Sequence, residues 1–194
     1  MKHLINYNSQ RDNISFAGKF PGFWQCFTTC SWMLMSYYCD KIKAGDDKGL
    51  SLYLDDVEAI VGKPGIGEKI KNKYNWIKGH TSEWWLVQRN GIEAWLWQQG
   101  LRGNAVFRDL TVPFDDLRSL IDGGPVILGT SKLGGLPGGH IILAIGYDDD
   151  GIICHDPYGN ALAQYESANG AGIMYPDIIL KAATGEKIRC MYWR

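Results

Sequence analysis

Three residues of types that act together in nucleophilic catalysis lie far apart in this chain: Cys26, His140 and Asp156. A cysteine attacks a carbonyl carbon as its thiolate, and a histidine that a carboxylate holds in one tautomer can accept and return the proton. This chemistry needs no cofactor and no metal ion. Whether the three residues can cooperate depends on the helices and strands that position them.

Cys26 lies at the start of an expected helix. Apolar residues recur at helical spacing from residue 26 to about residue 39, and no glycine or proline interrupts them. The unsatisfied amides and the macrodipole at a helix start favour a thiolate there. Free cysteine is nevertheless among the most buried residue types, so its position alone does not identify Cys26 as a nucleophile.

His140 heads an expected strand directly after two glycines, which indicates a position at a sheet edge. The next strand leads into Asp156, and the turn between the strands decides whether both side chains share a face. A three-residue loop, over residues 148–150 or 149–151, places Asp156 on the face of His140, whereas a two-residue loop places it on the opposite face. In the first three-residue register Asp156 opposes Ile142 and lies about 7 Å diagonally from His140.

Three other features are compatible with a functional site, and each has a simpler interpretation. His155 competes as the base, but it adjoins Asp156 and so points to the other face of the strand. The aspartates at 148–150 lack the loop pattern of a calcium site and are typical of a hairpin turn. Tryptophans of the middle segment could form a glycan-binding platform, although core packing is favoured. They are Trp76, Trp84, Trp85, Trp95 and Trp97.

The order of the expected elements predicts an α+β fold. Helical spacing is found over residues 26–39, 51–61, 92–99 and 113–121. Runs of β-branched and aromatic residues predict strands over residues 125–130, 140–147, 151–155 and 187–193. We therefore expect an N-terminal helical layer packed on a C-terminal antiparallel β-sheet, in a single domain that spans residues 1–194. The segment from residue 62 to residue 91 has no clear assignment.

Two parts of the sequence carry motifs that occur together in one known family. The first is a Gln-Arg-Asp-Asn arm at residues 10–13, followed at residues 26–38 by a Cys-x-x-Thr-Ser-like helix that ends in Ser-Tyr-Tyr. The second combines Gly-Gly-His at residues 138–140, the turn at 146–151 and Asp-Pro-Tyr-Gly-Asn at residues 156–160. Together they resemble the double-glycine-leader (bacteriocin-processing) peptidase-like family.

This resemblance implies a papain-like cysteine peptidase. Cys26 would be the nucleophile, His140 the general base and acid, and Asp156 the residue that orients the histidine. The family's oxyanion glutamine falls on Gln10, whose amide could donate to the developing oxyanion. Gln10 precedes Cys26 by sixteen residues, an unusually long spacer for the family. Gln25 adjoins Cys26 and stays an alternative, although its simpler interpretation is a helix-start residue.

Composition and charge exclude several function classes. The formal net charge is −1 and the basic residues are dispersed, so nucleic acid is not an expected partner. The apolar runs are shorter than a membrane helix requires. The N-terminus lacks the apolar stretch of a secretory signal, which predicts synthesis in the cytoplasm. Five cysteines at irregular spacing predict neither a disulfide framework nor a zinc site.

The resemblance also implies a class of substrate. Leader-cleaving members are attached to membrane transporters, whereas this sequence shows no transmembrane segment and no Walker motif, so leader processing is not expected. Stand-alone relatives with the Gln-Arg-Asp-Asn arm look like bacterial or bacteriophage cell-wall hydrolases. They imply an endolysin-like enzyme that reaches peptidoglycan peptides after release. A catalytically silent binding module, and an amidase or transpeptidase with the same triad, stay open as alternatives.

Overall fold

The computed structural model describes residues 1–11, 25–42, 89, 92–93, 95–96, 99–101, 107–136 and 139–193. The helix expected over residues 51–61 lies outside these residues, as do four tryptophans of the middle segment, Trp76, Trp84, Trp85 and Trp97. Of the helix expected over residues 92–99, the described residues Ile92, Glu93, Trp95 and Leu96 are helical. The ring of Trp95 meets that of Trp32 edge-on at 5.4 Å, so this tryptophan packs in the core.

Six strands in the described ranges form one antiparallel sheet. They are β1 (Phe107–Pro113), β2 (Val126–Thr130), β3 (His140–Tyr147), β4 (Gly151–His155), β5 (Ile173–Pro176) and β6 (Lys187–Trp193). Their order across the sheet is β1, β6, β2, β3, β4, β5. The four strands expected from the sequence are confirmed to within one residue. The sequence pattern does not indicate β1 and β5, which form the two edges.

The first helix, α1 (Cys26–Tyr38), packs on one face of the sheet. Its residues from 26 to 35 are all buried, so the helix is enclosed on every side rather than along one apolar stripe. Side chains of the central strands, such as Ile127, Leu143 and Met191, share its apolar cluster. This packing fixes the position of the helix start relative to β3. None of the helices in the described part of the chain is long and apolar enough to cross a bilayer.

Two further helices cover the opposite face of the sheet. They are α2 (Leu117–Asp122) and α3 (Asp177–Thr184), which bury a second apolar cluster against β2, β3, β4 and β6. The helix expected over residues 113–121 is shorter, because Pro113 pairs with Lys187 at the end of β1 and a 3₁₀ turn precedes α2. Gly123 is the C-cap residue of α2. The fold is α+β and papain-like, with an additional layer that the sequence pattern does not indicate.

The hairpin of β3 and β4 determines which face carries Asp156. Its turn is a two-residue loop, since Asp148 N–H donates to the Gly151 carbonyl at 3.0 Å. A two-residue loop alone would place Asp156 on the face opposite to His140. A bulge at Ile145 restores the parity, because the register shifts by one residue between Ala144 and Gly146. The expected three-residue loop is therefore wrong. The strand register expected for a loop over residues 148–150 is nevertheless correct beyond the bulge, where the two strands approach the site.

The N-terminal residues add a short bridge to the bulged strand. Lys2 pairs with Gly146, and His3 N–H donates to the Ile145 carbonyl at 2.6 Å. Gly146 lacks a side chain at this contact, where a Cβ atom would come within 2.7 Å of the Lys2 Cα. Further along, Gln10 N–H donates to the carbonyl of Pro157 at 2.8 Å. The arm thus runs from the bulge to the segment that follows β4.

Candidate active site

The structure places the side chains of Cys26, His140 and Asp156 next to one another. His140 Nε2 lies 2.7 Å from Asp156 Oδ1, and the Cys26 side chain interacts with the same imidazole. Because Nε2 is engaged by the carboxylate, Nδ1 is the nitrogen available to the thiol. The three residues are 8%, 4% and 0% exposed, respectively. Water therefore has little access to the charges that these three side chains can carry.

Cys26 owes its position to the start of α1. It is the first residue of the helix, and Gln25 before it accepts the Thr29 N–H at 2.9 Å. The first amides of a helix have no acceptor within the helix, so they can donate to a group that develops negative charge in front of Cys26. The site thus has a thiol and backbone donors at the same helix end.

His140 carries an elevated proton affinity despite its burial. Desolvation lowers the pKa of the imidazole, but the charge of Asp156, its hydrogen bond and the interaction with Cys26 outweigh it, and the pKa is raised from 6.5 to about 10. The imidazole is therefore protonated at neutral pH. A protonated histidine beside a thiol can form an ion pair and can give its proton to a leaving amine.

Aromatic rings enclose His140, which the sequence pattern predicts at a sheet edge. Tyr158 and Tyr165 meet the imidazole edge-on, at centroid distances of 6.2 Å and 6.0 Å. The Arg11 guanidinium lies 5.3 Å from the centre of the Tyr158 ring and donates to the Tyr165 carbonyl at 2.9 Å. The expected position at a sheet edge is therefore wrong, because β3 is an inner strand of the sheet and residues after β4 fold back over its start.

Asp156 is surrounded by donors that sequence patterns do not single out. Its Oδ1 accepts the Tyr158 N–H at 3.0 Å in addition to His140. Its Oδ2 accepts the hydroxyls of Tyr175 at 2.7 Å and Tyr165 at 3.4 Å. Tyr175 lies on β5, a strand of only four residues, which is too short for a local sequence pattern to point to it.

The two candidate glutamines occupy different places. Gln10 is completely buried, and its backbone is bonded to Pro157, the residue after Asp156. Gln25 is also buried and precedes α1 as its N-cap residue, in agreement with its interpretation as a helix-start residue. The long spacer before Cys26 therefore does not keep the Gln10 backbone away from the Asp-Pro segment.

His155 has a structural environment. Its Nε2 lies 2.9 Å from the Ile5 carbonyl, and its Nδ1 accepts the Gly172 N–H at 3.0 Å. A ring that accepts at Nδ1 and donates at Nε2 is neutral, and burial lowers the pKa of His155. This histidine joins the N-terminal arm to the segment before β5, and its ring nitrogens are both engaged away from Cys26.

The other buried cysteines are poor nucleophiles. All five cysteines of the chain are free thiols. Desolvation by burial raises the pKa of Cys30, Cys154 and Cys190, which disfavours their thiolates. Cys30, one turn after Cys26, is completely buried, and its thiol contacts the Ile141 carbonyl at 3.5 Å.

Comparison with known families agrees with this arrangement. A family model described as the Peptidase_C39 like family matches residues 5–175, which is most of the chain. This chain belongs to the Peptidase_C39 like family. Membership indicates a cysteine peptidase, and the matched range includes Cys26, His140 and Asp156. No curated protein and no solved structure matches the chain.

The neutral state of His155 predicts a pH dependence of stability. Because its pKa is lowered on folding, the stability contributed by the neutral ring is present above pH 6.5 and is lost as the pH falls. In His155→Gln the amide keeps a donor and an acceptor but does not titrate. We expect urea unfolding free energies of the parent protein to fall more steeply than those of the variant between about pH 7 and pH 5. Parallel profiles would contradict the assignment.

The pKa of His140 gives a second prediction. Asp156→Asn removes the charge that opposes desolvation, so the His140 pKa should fall by about 1 to 3 units from its value in the parent protein. Imidazole resonances followed by NMR across the pH range measure this change. Asp122→Asn serves as the control, since this carboxylate bonds Tyr147 at the surface. A parent His140 that titrates near pH 6.5 would contradict the raised pKa.

Proposed function

We propose that this protein is a cysteine endopeptidase in which Cys26 is the nucleophile, His140 the general base and acid, and Asp156 the orienting residue. The observation that carries the proposal is that the Cys26 side chain interacts with the imidazole of His140, which is hydrogen-bonded to the buried carboxylate of Asp156. Membership of the Peptidase_C39 like family supports the same reaction class.

The proposed reaction has two halves. The Cys26 sulfur attacks the carbonyl carbon of a peptide bond, and the protonated His140 gives its proton to the leaving amine, which leaves a thioester. The neutral imidazole then removes a proton from water, which attacks the thioester, and the C–S bond breaks to release the acid and restore the Cys26 thiolate beside the protonated His140. Asp156 keeps the ring oriented in both halves and stabilises its charged form. The raised His140 pKa suits the role of proton donor in the first half.

The oxyanion of the tetrahedral intermediate requires donors close to Cys26. Backbone amides at the start of α1 supply one kind of donor. We assign the second to the side-chain amide of Gln10, which is buried and whose backbone is bonded beside the Asp156 segment. Gln25 instead serves the start of the helix.

The proposed substrate is a peptide of bacterial peptidoglycan, either a stem peptide or a cross-link. Support comes from the Gln-Arg-Asp-Asn arm at residues 10–13, which resembles that of stand-alone cell-wall hydrolases. An endolysin-like enzyme of this kind would be made in the cytoplasm and would act at the cell wall after release. An amidase or transpeptidase would use the same residues and differ in the bond cleaved or the acceptor.

Cell-wall digestion tests both the chemistry and the substrate. The purified protein should release new amino groups from sacculi, and Cys26→Ala should lower this rate by at least about a thousandfold. Mass spectrometry of defined muropeptides identifies the bond. Cleavage between sugar and peptide would show an amidase, and joined peptides would show a transpeptidase.

Cys30→Ala is the matched control for this experiment. It removes a completely buried thiol one turn along the same helix and should retain activity. Digestion of protein substrates with intact sacculi would remove the peptidoglycan assignment but keep the peptidase. Full activity in Cys26→Ala would contradict the enzyme assignment, and binding without any cleavage would indicate a silent module.

The two glutamines can be separated by their effect on turnover. Gln10→Ala should lower kcat by about a hundredfold to a thousandfold, as the loss of one oxyanion donor does. Gln25→Ala should change kcat by less than about tenfold, because its side chain has no part in the proposed reaction. Steady-state kinetics on a defined muropeptide provide the measurement. The reverse order of effects would transfer the oxyanion role to Gln25.

A further inference from the structure

The second oxygen of Asp156 has no part in the chemistry described so far. The carboxylate is completely buried, and a buried anion is stable only where donors replace the water that it has lost. His140 and the Tyr158 N–H occupy Oδ1. Oδ2 faces the phenols of Tyr175 and Tyr165. These two side chains complete the shell of the anion.

The direction of the Tyr175 hydrogen bond is fixed by its other partner. The Ala161 N–H donates to the phenol oxygen at 3.2 Å, so the single phenol proton is directed to Asp156 Oδ2 at 2.7 Å. The ring is completely buried on β5, where water does not compete for this proton. Burial and the nearby Asp156 charge also raise the pKa of Tyr175, so the phenol stays protonated.

Tyr165 makes the weaker of the two contacts. Its hydroxyl lies 3.4 Å from Oδ2 and 3.5 Å from the Leu133 carbonyl, so its proton is shared between two distant acceptors. Its backbone has a φ of 61°, directly after Gln164 at 50°, a conformation that residues other than glycine rarely adopt. This backbone holds the ring against His140 and over Gly134, where a Cβ atom would collide with it. The Tyr165 ring therefore mainly encloses His140.

We propose that Tyr175 is a positioning residue for Asp156. By donating to Oδ2 it keeps the carboxylate turned so that Oδ1 faces His140 Nε2. The inference rests on the proposed function, in which the imidazole must keep one orientation through both halves of the reaction. Tyr165 is a secondary donor to the same oxygen.

Tyr175→Phe removes one hydroxyl and keeps the ring. We expect kcat to fall on the order of tenfold, the smaller effect of losing a hydrogen bond to a charged group, while KM changes less than about twofold. The basic limb of the activity profile should move to lower pH, because a carboxylate that is held less firmly raises the pKa of His140 less. Tyr165→Phe should act in the same direction with a smaller effect.

Tyr147→Phe is the matched control. It also removes a bond from a phenol to a carboxylate, that of Tyr147 to Asp122 Oδ1 at 2.6 Å, but at the surface. Its kcat and its pH profile should equal those of the parent protein. Urea unfolding of each variant separates a loss of stability from a loss of turnover.

A double-mutant cycle separates positioning from a merely structural role. In an Asp156→Asn background there is no carboxylate to accept the Tyr175 hydroxyl. Tyr175→Phe should therefore change kcat by less than about twofold in that background. The same fold-loss in both backgrounds would overturn the proposal, because Tyr175 would then act independently of the carboxylate.

A measurement without turnover keeps this proposal distinct from the proposed function. The His140 Nε2–H proton, observed by NMR, should exchange with solvent faster in Tyr175→Phe than in the parent and in Tyr147→Phe. A parent protein that cleaves no peptide would remove the proposed function, while this exchange rate would still report on Tyr175. An active parent with unchanged kcat, pH profile and proton exchange in Tyr175→Phe would overturn the inference alone.

Discussion

An ionised carboxylate in the protein interior is the constraint on which the site depends. Asp156 has no solvent exposure, and removal of either partner from a buried ion pair typically costs about 3–5 kcal/mol. The fold must therefore bring the hydrogen-bond donors of Asp156 together. They are His140 on β3, the Tyr158 N–H in the turn after β4, and the Tyr175 hydroxyl on β5. The Asp156 charge also raises the pKa of the enclosed His140 imidazole, which favours its protonated form.

The register of one hairpin connects this constraint to the architecture. The two-residue turn between β3 and β4 would send Asp156 to the wrong face, and the bulge at Ile145 reverses that outcome. The carbonyl of Ile145 is bonded by the N-terminal arm, which continues to Gln10 beside the Asp-Pro segment. Helix α1, which is buried on all sides from residue 26 to residue 35, holds Cys26 at the start of β3. The start of α1 and the segment after β4 therefore meet at the start of β3.

The sequence predicts the elements with strong local patterns and misses those that tertiary contacts determine. α1, β2, β3, β4 and β6 have strong local patterns of apolar, aromatic or β-branched residues, so their limits are predicted to within one residue. β1 contains charged residues because Asp109 pairs with Arg189 of β6 at 2.8 Å, a contact that no local pattern reveals. β5 is too short for a pattern of its own, and Tyr175 could not be placed without it. The proximity of His140 and Asp156 followed from parity, but the bulge that produces it did not.

The assignment of Cys26 as the nucleophile requires that His140 activates its thiol. Alkylation by iodoacetamide at neutral pH, followed by peptide mass mapping, tests it most directly. We expect one equivalent of label on Cys26, and we expect the labelling rate to fall by at least about a hundredfold in His140→Ala. The completely buried Cys30 should stay unlabelled. Labelling of Cys26 at the same rate with and without the histidine would contradict it.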